Sequence, residues 1–280
     1  MKLALRCLAP AKRCLLAFRG PDAARYLNGQ LTQDVRDLGD RALASCVTDA
    51  KGRLQAFVHV FRGPDDSIRV EGPAEQEEEL EQRLTRYLIA DDVEVENLSN
   101  HWRLIHVVDG SEPPDAGSGF VRNAARIDAE GFDLWLPGTD SPELSILSPA
   151  EAETRRITAR IPAWGAELTV GMLPPEAGLD RNAISYHKGC YIGQEVLSRI
   201  KSAGRLNRKL AAFLVDPGTE GGDLLGAAEA RSAGAITSVA PWPNEAGTHA
   251  ALGYLDKSAF NEVELPIAGK QSLARILGFV

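Results

Sequence analysis

The segment from Leu173 to Arg208 holds the greatest density of residues that could carry chemistry. Within it, Cys190 follows Lys188 and Gly189, and a helix is expected through Glu195 to Arg199. A thiol at the start of a helix and beside cations has a lowered pKa, and its thiolate is the form that attacks or binds metals. A buried, inert cysteine is the alternative. The neighbouring lysine and glycines favour a reactive or metal-ligating thiol.

Charge is distributed unevenly along the chain. The formal net charge is −8, and the stretch from Glu71 to Glu96 alone holds ten acidic residues against two arginines. Between Lys188 and Lys209, six basic residues accompany one acid, Glu195. Such a basic segment would attract a polyglutamylated cofactor, a phosphate backbone or an acidic protein, whereas scattered surface arginines are the alternative. The overall acidity argues against a generic nucleic-acid coat protein.

The sequence lacks several motifs that are typical of metal-binding and catalytic sites, and their absence excludes several classes of protein. The five histidines show no metal spacing, and the chain has no phosphate-binding glycine loop, G-x-S-x-G or H-E-x-x-H. One cysteine cannot hold an iron–sulfur cluster, which takes about four ligands, so a partner or a small thiol would supply the others. Four cysteines without a C-x-x-C pair indicate reduced thiols. No apolar run approaches the ~20 residues of a membrane span, and we expect a cytoplasmic protein.

The elements that must position these residues follow from hydrophobic periodicity. Residues 41–49 and 53–61 are apolar runs joined by a turn that ends in Gly52, which predicts a hairpin. A helix after Pro73 and a second one over 149–160 each follow a group of strands, so we expect two similar α+β lobes. After residue 206, short strands and Gly/Pro turns predict a small β-barrel. The predicted domains are residues 1–205 and 206–280.

The sequence KGCYIGQE, from Lys188 to Glu195, with Arg199 close behind, resembles the signature of the YgfZ-type family of folate-binding iron–sulfur cluster assembly proteins. These are paralogues of the aminomethyltransferase, or T protein, of the glycine cleavage system. Further segments are similar to elements of the same family; they are Gly20 to Val35, Thr48 to Leu54, Leu173 to Asp180 and Gly234 to Val239. The resemblance covers most of the chain.

This resemblance implies two ferredoxin-like α+β lobes and a C-terminal β-barrel around a channel that holds tetrahydrofolate. It also implies that the protein helps to assemble or repair iron–sulfur enzymes through Cys190, with transient iron–sulfur contact, and thereby supports tRNA modification. The implied partners are iron–sulfur client enzymes or assembly proteins and folate, with a tRNA contact through Arg199 to Lys209. The implied site residues are Cys190 and Lys188, the motif residues Gly189, Tyr191, Gly193, Gln194, Glu195 and Arg199, and the folate contacts Asn28, Gln30, Thr32, Thr158 and Glu176.

Two departures from the family pattern separate the paralogues. Aminomethyltransferases carry an Asp-Asp pair on the second hairpin strand, and Ala56 and Phe57 stand there in this chain, so general acid–base chemistry lacks its carboxylate. Relatives also read R-x-E-A-G where this chain reads RITAR, which puts Thr158 in place of the glutamate that holds the pterin. The loss of that charged hydrogen bond would weaken pterin binding by ~1–3 kcal/mol. We expect an accessory protein; a tetrahydrofolate-dependent one-carbon transferase is the alternative.

Overall fold

The computed structural model describes residues 5–9, 11–128, 130–138, 143–226 and 232–280. Within these ranges it contains sixteen β-strands and four α-helices. The strands are β1 Leu5–Cys7, β2 Cys14–Arg19, β3 Leu43–Thr48, β4 Leu54–Arg62, β5 Ile68–Gly72, β6 Glu94–Asn97, β7 Trp102–Val107, β8 Phe120–Asn123, β9 Phe132–Pro137, β10 Leu144–Ile146, β11 Arg208–Val215, β12 Gly222–Leu225, β13 Ser232–Val239, β14 His249–Asp256, β15 Glu264–Pro266 and β16 Leu273–Phe279. The helices are α1 Ala23–Gln30, α2 Glu77–Thr85, α3 Pro149–Thr158 and α4 Gln194–Ala203.

One compact unit combines Met1–Leu147 with Asp180–Ser198. It holds two five-stranded sheets, in the orders β3-β4-β5-β2-β6 and β10-β1-β7-β9-β8. The first sheet is antiparallel throughout, and the second has one parallel pair, β1 with β10. The predicted hairpin is present as β3 and β4. Its turn is held by the Asp49 carboxylate, which accepts hydrogen bonds from the backbone N–H groups of Lys51 and Arg53.

Strand β2 is the centre of packing in this unit because both of its faces are buried. Leu16 and Phe18 belong to a core that includes residues of α1 and α2. Leu15 and Ala17, on the opposite face, pack in a second core with Trp135 of β9. Successive side chains of a strand point to opposite faces, so one strand of five apolar residues joins the helices to the second sheet.

The second compact unit combines Ser148–Leu179 with Arg199–Val280. Its six-stranded antiparallel sheet has the order β12-β13-β14-β11-β16-β15, and a bridge between Leu224 and Ile267 nearly closes it. The expected α+β class with a C-terminal barrel is confirmed. Helix α3 starts at the N-cap Ser148, whose hydroxyl accepts a hydrogen bond from the N–H of Glu151, and it contacts β13 and β14. Helix α3 therefore lies in the same compact unit as the barrel strands. The sequence had suggested that it belongs to the second lobe.

Several element boundaries differ from the sequence-based ones. The helix after Pro73 begins as a 3-10 turn, Ala74–Gln76, and α2 ends at Thr85, so Tyr87 lies outside it and is half exposed. Helix α3 ends at Thr158, two residues before the predicted end. The predicted domain division after residue 205 stays a prediction, and the two compact units separate at other points of the chain. No helix in the described ranges is long and apolar enough to cross a membrane.

Candidate functional site

Cys190 differs from the other three cysteines in its exposure. Cys7, Cys14 and Cys46 are buried, and Cys190 is exposed. Burial raises the pKa of the Cys14 and Cys46 thiols to about 12, which keeps both protonated at neutral pH. The exposed thiol is therefore the one that can meet an external metal, sulfur carrier or second thiol.

The backbone on the C-terminal side of Cys190 is fastened to the first lobe. The N–H of Ile192 donates a hydrogen bond to the carbonyl of Gly29, at 3.2 Å. The hydroxyl of Thr48, at the end of β3, donates to the carbonyl of Ile192, at 2.6 Å. The predicted hairpin and α1 thus position the residues that follow the thiol.

Thr32 fastens the chain on the N-terminal side of Cys190. Its hydroxyl donates to the carbonyl of Ala183, at 2.6 Å, and accepts a hydrogen bond from the N–H of Cys46, at 2.8 Å. Its own carbonyl accepts a hydrogen bond from the N–H of Ser185, at 2.9 Å. The side chain is fully buried, so the structure gives Thr32 a positioning role, and its predicted folate contact stays a prediction.

Lys188 points into the protein, with only 7% of its surface exposed. Its ammonium donates to the carbonyls of Leu31 and Gln33, at 2.7 and 2.6 Å, and lies 5.1 Å from the centre of the Tyr191 ring. Burial lowers the pKa of Lys188 to about 7, although the nearby Asp34 carboxylate opposes this shift. The lysine therefore clamps the segment; its predicted catalytic part beside the thiol stays a prediction.

Gly193 is required by a close approach of two backbones. Its φ is +89°, and a Cβ at this position would lie 2.6 Å from the carbonyl oxygen of Asp49 and 2.8 Å from the hydroxyl oxygen of Thr48. Gly189, by contrast, has no heavy atom within 4 Å of the Cβ position and no positive φ. Gly193 is therefore fixed by its contact with the hairpin turn, whereas Gly189 has open space around it just before the thiol.

The other motif residues form the start of α4 and a small core beneath it. Tyr191 is buried in a cluster with Ile184 and Leu197, and its hydroxyl has no hydrogen-bond partner among the described residues. Gln194 opens α4 and Glu195 lies in its first turn, where the helix dipole favours a carboxylate. Arg199 lies four residues further along the same helix. The expected helix after Cys190 is present, and it begins four residues beyond the thiol.

Two further predicted folate residues also have local partners. The side-chain oxygen of Asn28 accepts a hydrogen bond from the N–H of Val35, at 3.3 Å. Gln30 is buried, and its side-chain oxygen accepts a hydrogen bond from Arg83, at 2.9 Å. Both contacts lie within the first compact unit; the Asn28 contact spans the turn after α1, and the Gln30 contact joins α1 to α2. Folate binding by these residues stays a prediction.

Thr158 and Glu176 belong to the second compact unit. Glu176 lies in a 3-10 turn and accepts a hydrogen bond from Arg208, at 2.9 Å. Thr158, at the end of α3, lines a cavity of about 340 Å³ together with Arg160 and Trp242. No carboxylate lines this cavity in the described part of the unit. A pterin presents an amino group and a ring N–H that need acceptors, and the cavity offers them no carboxylate.

Sequence reasoning missed Arg160. The family pattern R-x-E-A-G ends in a glycine, and Arg160 stands at that position with a φ of +61°. An L-residue in this left-handed conformation costs about 1–2 kcal/mol and is a recognised mark of functional sites. The substitution of a glycine by an arginine was the available signal.

Ala56 and Phe57 lie on β4, opposite Val47 and Cys46 of β3. Ala56 is buried and Phe57 is half-buried. Neither side chain can accept or donate a proton, so β4 carries no carboxylate at the two positions where aminomethyltransferases are expected to have a pair.

Some of the basic side chains between Lys188 and Lys209 have local partners in the structure. Arg208 pairs with Glu176 and lies 4.7 Å from the centre of the Tyr254 ring. The ammonium of Lys209 lies 5.2 Å from the centre of the Phe279 ring. Part of the excess positive charge is therefore engaged locally, and a tRNA contact through Arg199 to Lys209 stays a prediction.

A buried ionic network joins the two sheets of the first unit, and sequence reasoning missed it. Arg126 donates to Glu71 of β5, at 2.8 Å, and to Asp133 of β9, at 2.7 Å. His59 and His106 contact these two carboxylates, at 3.1 and 2.9 Å. Burial alone would raise the pKa of both carboxyls, but Arg126 outweighs it, so the pKa of Glu71 lies well below its usual value and that of Asp133 falls to about 2. Most of the partners in this network lie far apart in the sequence, so no local spacing of residues indicates it.

Comparisons with known proteins agree on one group of relatives. The chain is 26% identical over 214 residues to an iron-sulfur cluster assembly factor IBA57 homolog, mitochondrial, from Pyricularia oryzae, with 71% of this chain and 54% of the relative covered. It is 25% identical over 244 residues to the tRNA-modifying protein YgfZ of Cronobacter sakazakii, with 75% and 71% covered. No family model matches the sequence. The chain thus spans about half the length of the fungal relative.

The fold has a clear counterpart among solved structures. The crystal structure of glycine cleavage system aminomethyltransferase T from Bartonella henselae matches 98% of this chain and 84% of its own, with a TM-score of 0.76 at 17% identity. The protein therefore has the aminomethyltransferase fold. The chain is thus similar in sequence to IBA57 and YgfZ proteins and has the fold of an aminomethyltransferase.

Proposed function

We propose that this protein assists the assembly or repair of iron–sulfur enzymes and that the Cys190 thiol makes a transient contact with iron or sulfur. The observation that carries the proposal is the contrast among the four cysteines: three are buried, and the fourth is exposed on a segment fastened on both sides. The relatives named as an iron-sulfur cluster assembly factor and as YgfZ support the same role.

The thiol would act as one ligand of a shared site. An iron–sulfur cluster takes about four ligands, and no group of three or more histidine, cysteine or acidic side chains in the described ranges could hold a metal ion. A client enzyme, an assembly protein or a small thiol would therefore supply the remaining ligands. A segment held by backbone hydrogen bonds presents the thiol in one geometry, which favours such an exchange.

The proposal does not depend on a folate step. Tetrahydrofolate is the cofactor that the family resemblance implies, and the cavity at Thr158 lacks the carboxylate that a pterin would need. The alternative role, a one-carbon transferase, finds no carboxylate at Ala56 and Phe57. The contact with tRNA, the identity of the client enzymes and the cytoplasmic location all stay predictions.

Replacement of Cys190 by serine in a strain that lacks the native protein tests the proposal. We expect the activity of iron–sulfur enzymes to fall to the level of the deletion strain, because a hydroxyl at neutral pH does not replace a thiolate as an iron or sulfur ligand. Cys14→Ala is the matched control, since it removes a buried thiol of the same compact unit and should retain support. Full enzyme activity with Cys190→Ser, at normal protein abundance, would contradict the proposal.

A further inference from the structure

Among the described residues, the cavity of the second compact unit is lined by one cation and no acid. Neither the family pattern nor the proposed role of Cys190 explains this arrangement. Its volume is about 340 Å³, and it is lined between α3, β11, β14 and β16 by mainly apolar residues. Pockets of this size hold small organic ligands that are bound by apolar contact and a few polar groups. The polar groups here are one cation and several hydroxyl or amide groups, with no acid among the described residues.

Arg160 is the cation of this cavity. Its guanidinium nitrogen Nη1 lies 4.0 Å from the point where a Cβ on Gly278 would stand, so the side chain lies along β16 next to the lining residue Leu277. The described residues offer it no ion pair or hydrogen bond. The neighbouring Arg156, by contrast, is paired with Glu153 and Glu167. The cavity therefore presents an uncompensated positive charge.

Aromatic and hydroxyl groups stand near this charge. Trp242 lines the cavity and is 48% exposed, and its backbone N–H donates to the hydroxyl oxygen of Thr154, at 3.1 Å, which fixes this part of the wall to α3. The hydroxyl of Thr158 is exposed and has no hydrogen-bond partner among the described residues. Phe213 adds buried apolar lining.

We propose that this cavity binds a small aromatic carboxylate. The Arg160 guanidinium would pair with the carboxylate in the two-pronged geometry that these groups favour, the Thr158 hydroxyl would donate a further hydrogen bond, and Trp242 would contact the ring. The volume exceeds what an inorganic anion fills, and a cation within apolar walls suits a ligand that joins a carboxylate to an apolar ring. The proposal goes beyond the role of Cys190 and does not require it.

The same chemistry has two possible sources, the benzoylglutamate end of a folate and a free aromatic acid. We would titrate the full chain with 4-aminobenzoylglutamate and follow binding by calorimetry, then repeat the titration with its neutral diamide, which keeps the ring and the glutamyl group and lacks both carboxylates. Tetrahydrofolate would be tested as a competitor. We expect the neutral diamide to bind roughly 10- to 100-fold more weakly, the loss typical of a charged hydrogen bond.

Arg160→Gly separates binding from folding. Glycine adopts a φ of +61° freely, so this variant should unfold at the same or a higher temperature and yet lose roughly 10- to 100-fold in affinity for 4-aminobenzoylglutamate. Lys257→Ala removes an exposed cation of the same unit outside the cavity and should bind like the native protein.

Competition by tetrahydrofolate would support the proposal with a folate as the source, and binding without such competition would support it with a free aromatic acid as the source. Equal affinity for the carboxylate and the neutral diamide would overturn it. Unchanged affinity in Arg160→Gly, or no binding of 4-aminobenzoylglutamate at millimolar concentrations, would also overturn it.

Discussion

The segment around Cys190 and the cavity at Thr158 and Arg160 use their polar groups in opposite ways. In the segment, Lys188 and Thr32 donate their hydrogen bonds to backbone carbonyls, and the Cys190 thiol is exposed. In the cavity, Arg160 and the Thr158 hydroxyl have no such partners in the described structure, and they border open volume.

This difference indicates two kinds of site. The segment is a rigid support for one reactive atom, so its function should depend on the thiol and on whatever holds the backbone. The cavity has no reactive atom, and its selectivity should depend on the sign of its charge. Three changes test this contrast, and the expected effects decrease from the first to the third.

The largest effect is expected from Gly193→Ala in the segment. The new Cβ would stand 2.6 Å from the carbonyl oxygen of Asp49, at a φ of +89°, so backbone must move. We expect the free energy of unfolding to fall by about 2–4 kcal/mol, from overpacking and left-handed strain together. Chemical denaturation of the full chain measures it.

Gly189→Ala is the matched control for that change, because the same methyl group is added to the same motif where it meets nothing within 4 Å. Its effect should stay within about 0.5 kcal/mol. Equal destabilisation by the two substitutions would show that the segment is not fixed by its contact with the hairpin turn.

The second change, Lys188→Met, removes the buried clamp and should alter how stability depends on pH. The ordinary pKa of 10.5 applies in the unfolded chain, and the folded value is about 7. Between these values the unfolded state holds a proton that the folded state has released, so the native protein gains stability as pH rises from 7 towards 10.5. The gain relative to Lys188→Met should approach about 1.4 kcal/mol per pH unit.

Unfolding curves at pH 7, 8 and 9 measure this slope, with the exposed Lys257→Met as the control variant that should keep the native profile. The comparison between variants removes the effect of tyrosines and thiols that titrate in the same range. Parallel pH profiles for the native protein and Lys188→Met would mean that the lysine is not buried as the structure has it.

The third change, Thr158→Glu, cancels the positive charge of the cavity. A carboxylate here restores the acceptor that a pterin requires, so affinity for a tetrahydropterin without a carboxylate should rise roughly 10-fold, and affinity for 4-aminobenzoylglutamate should fall by a similar factor. Tryptophan fluorescence can follow both titrations. Thr158→Gln keeps the length without the charge and should gain little; equal pterin affinity in the native protein and the Glu variant would contradict the prediction.

Much of the fold could be predicted from local patterns. Two apolar runs joined by a turn that ends in Gly52 predicted the β3–β4 hairpin, and short strands between turns predicted the C-terminal barrel, because strand composition and turn chemistry act over a few residues. The grouping of α3 with the barrel could not be predicted, since it depends on contacts with β13 and β14 more than 70 residues further along the chain.

The candidate site divides in the same way. The sequence by itself determined that Cys190 stands in a basic, glycine-containing segment before a helix and that the chain lacks carboxylates at Ala56, Phe57 and Thr158. The tertiary structure decided which of the four thiols is exposed, that Lys188 turns inward, and that Arg160 stands in a cavity without a counter-charge. The physical reason is that residue type and spacing are local properties, whereas burial and the pairing of charges depend on segments that only the folded chain brings together.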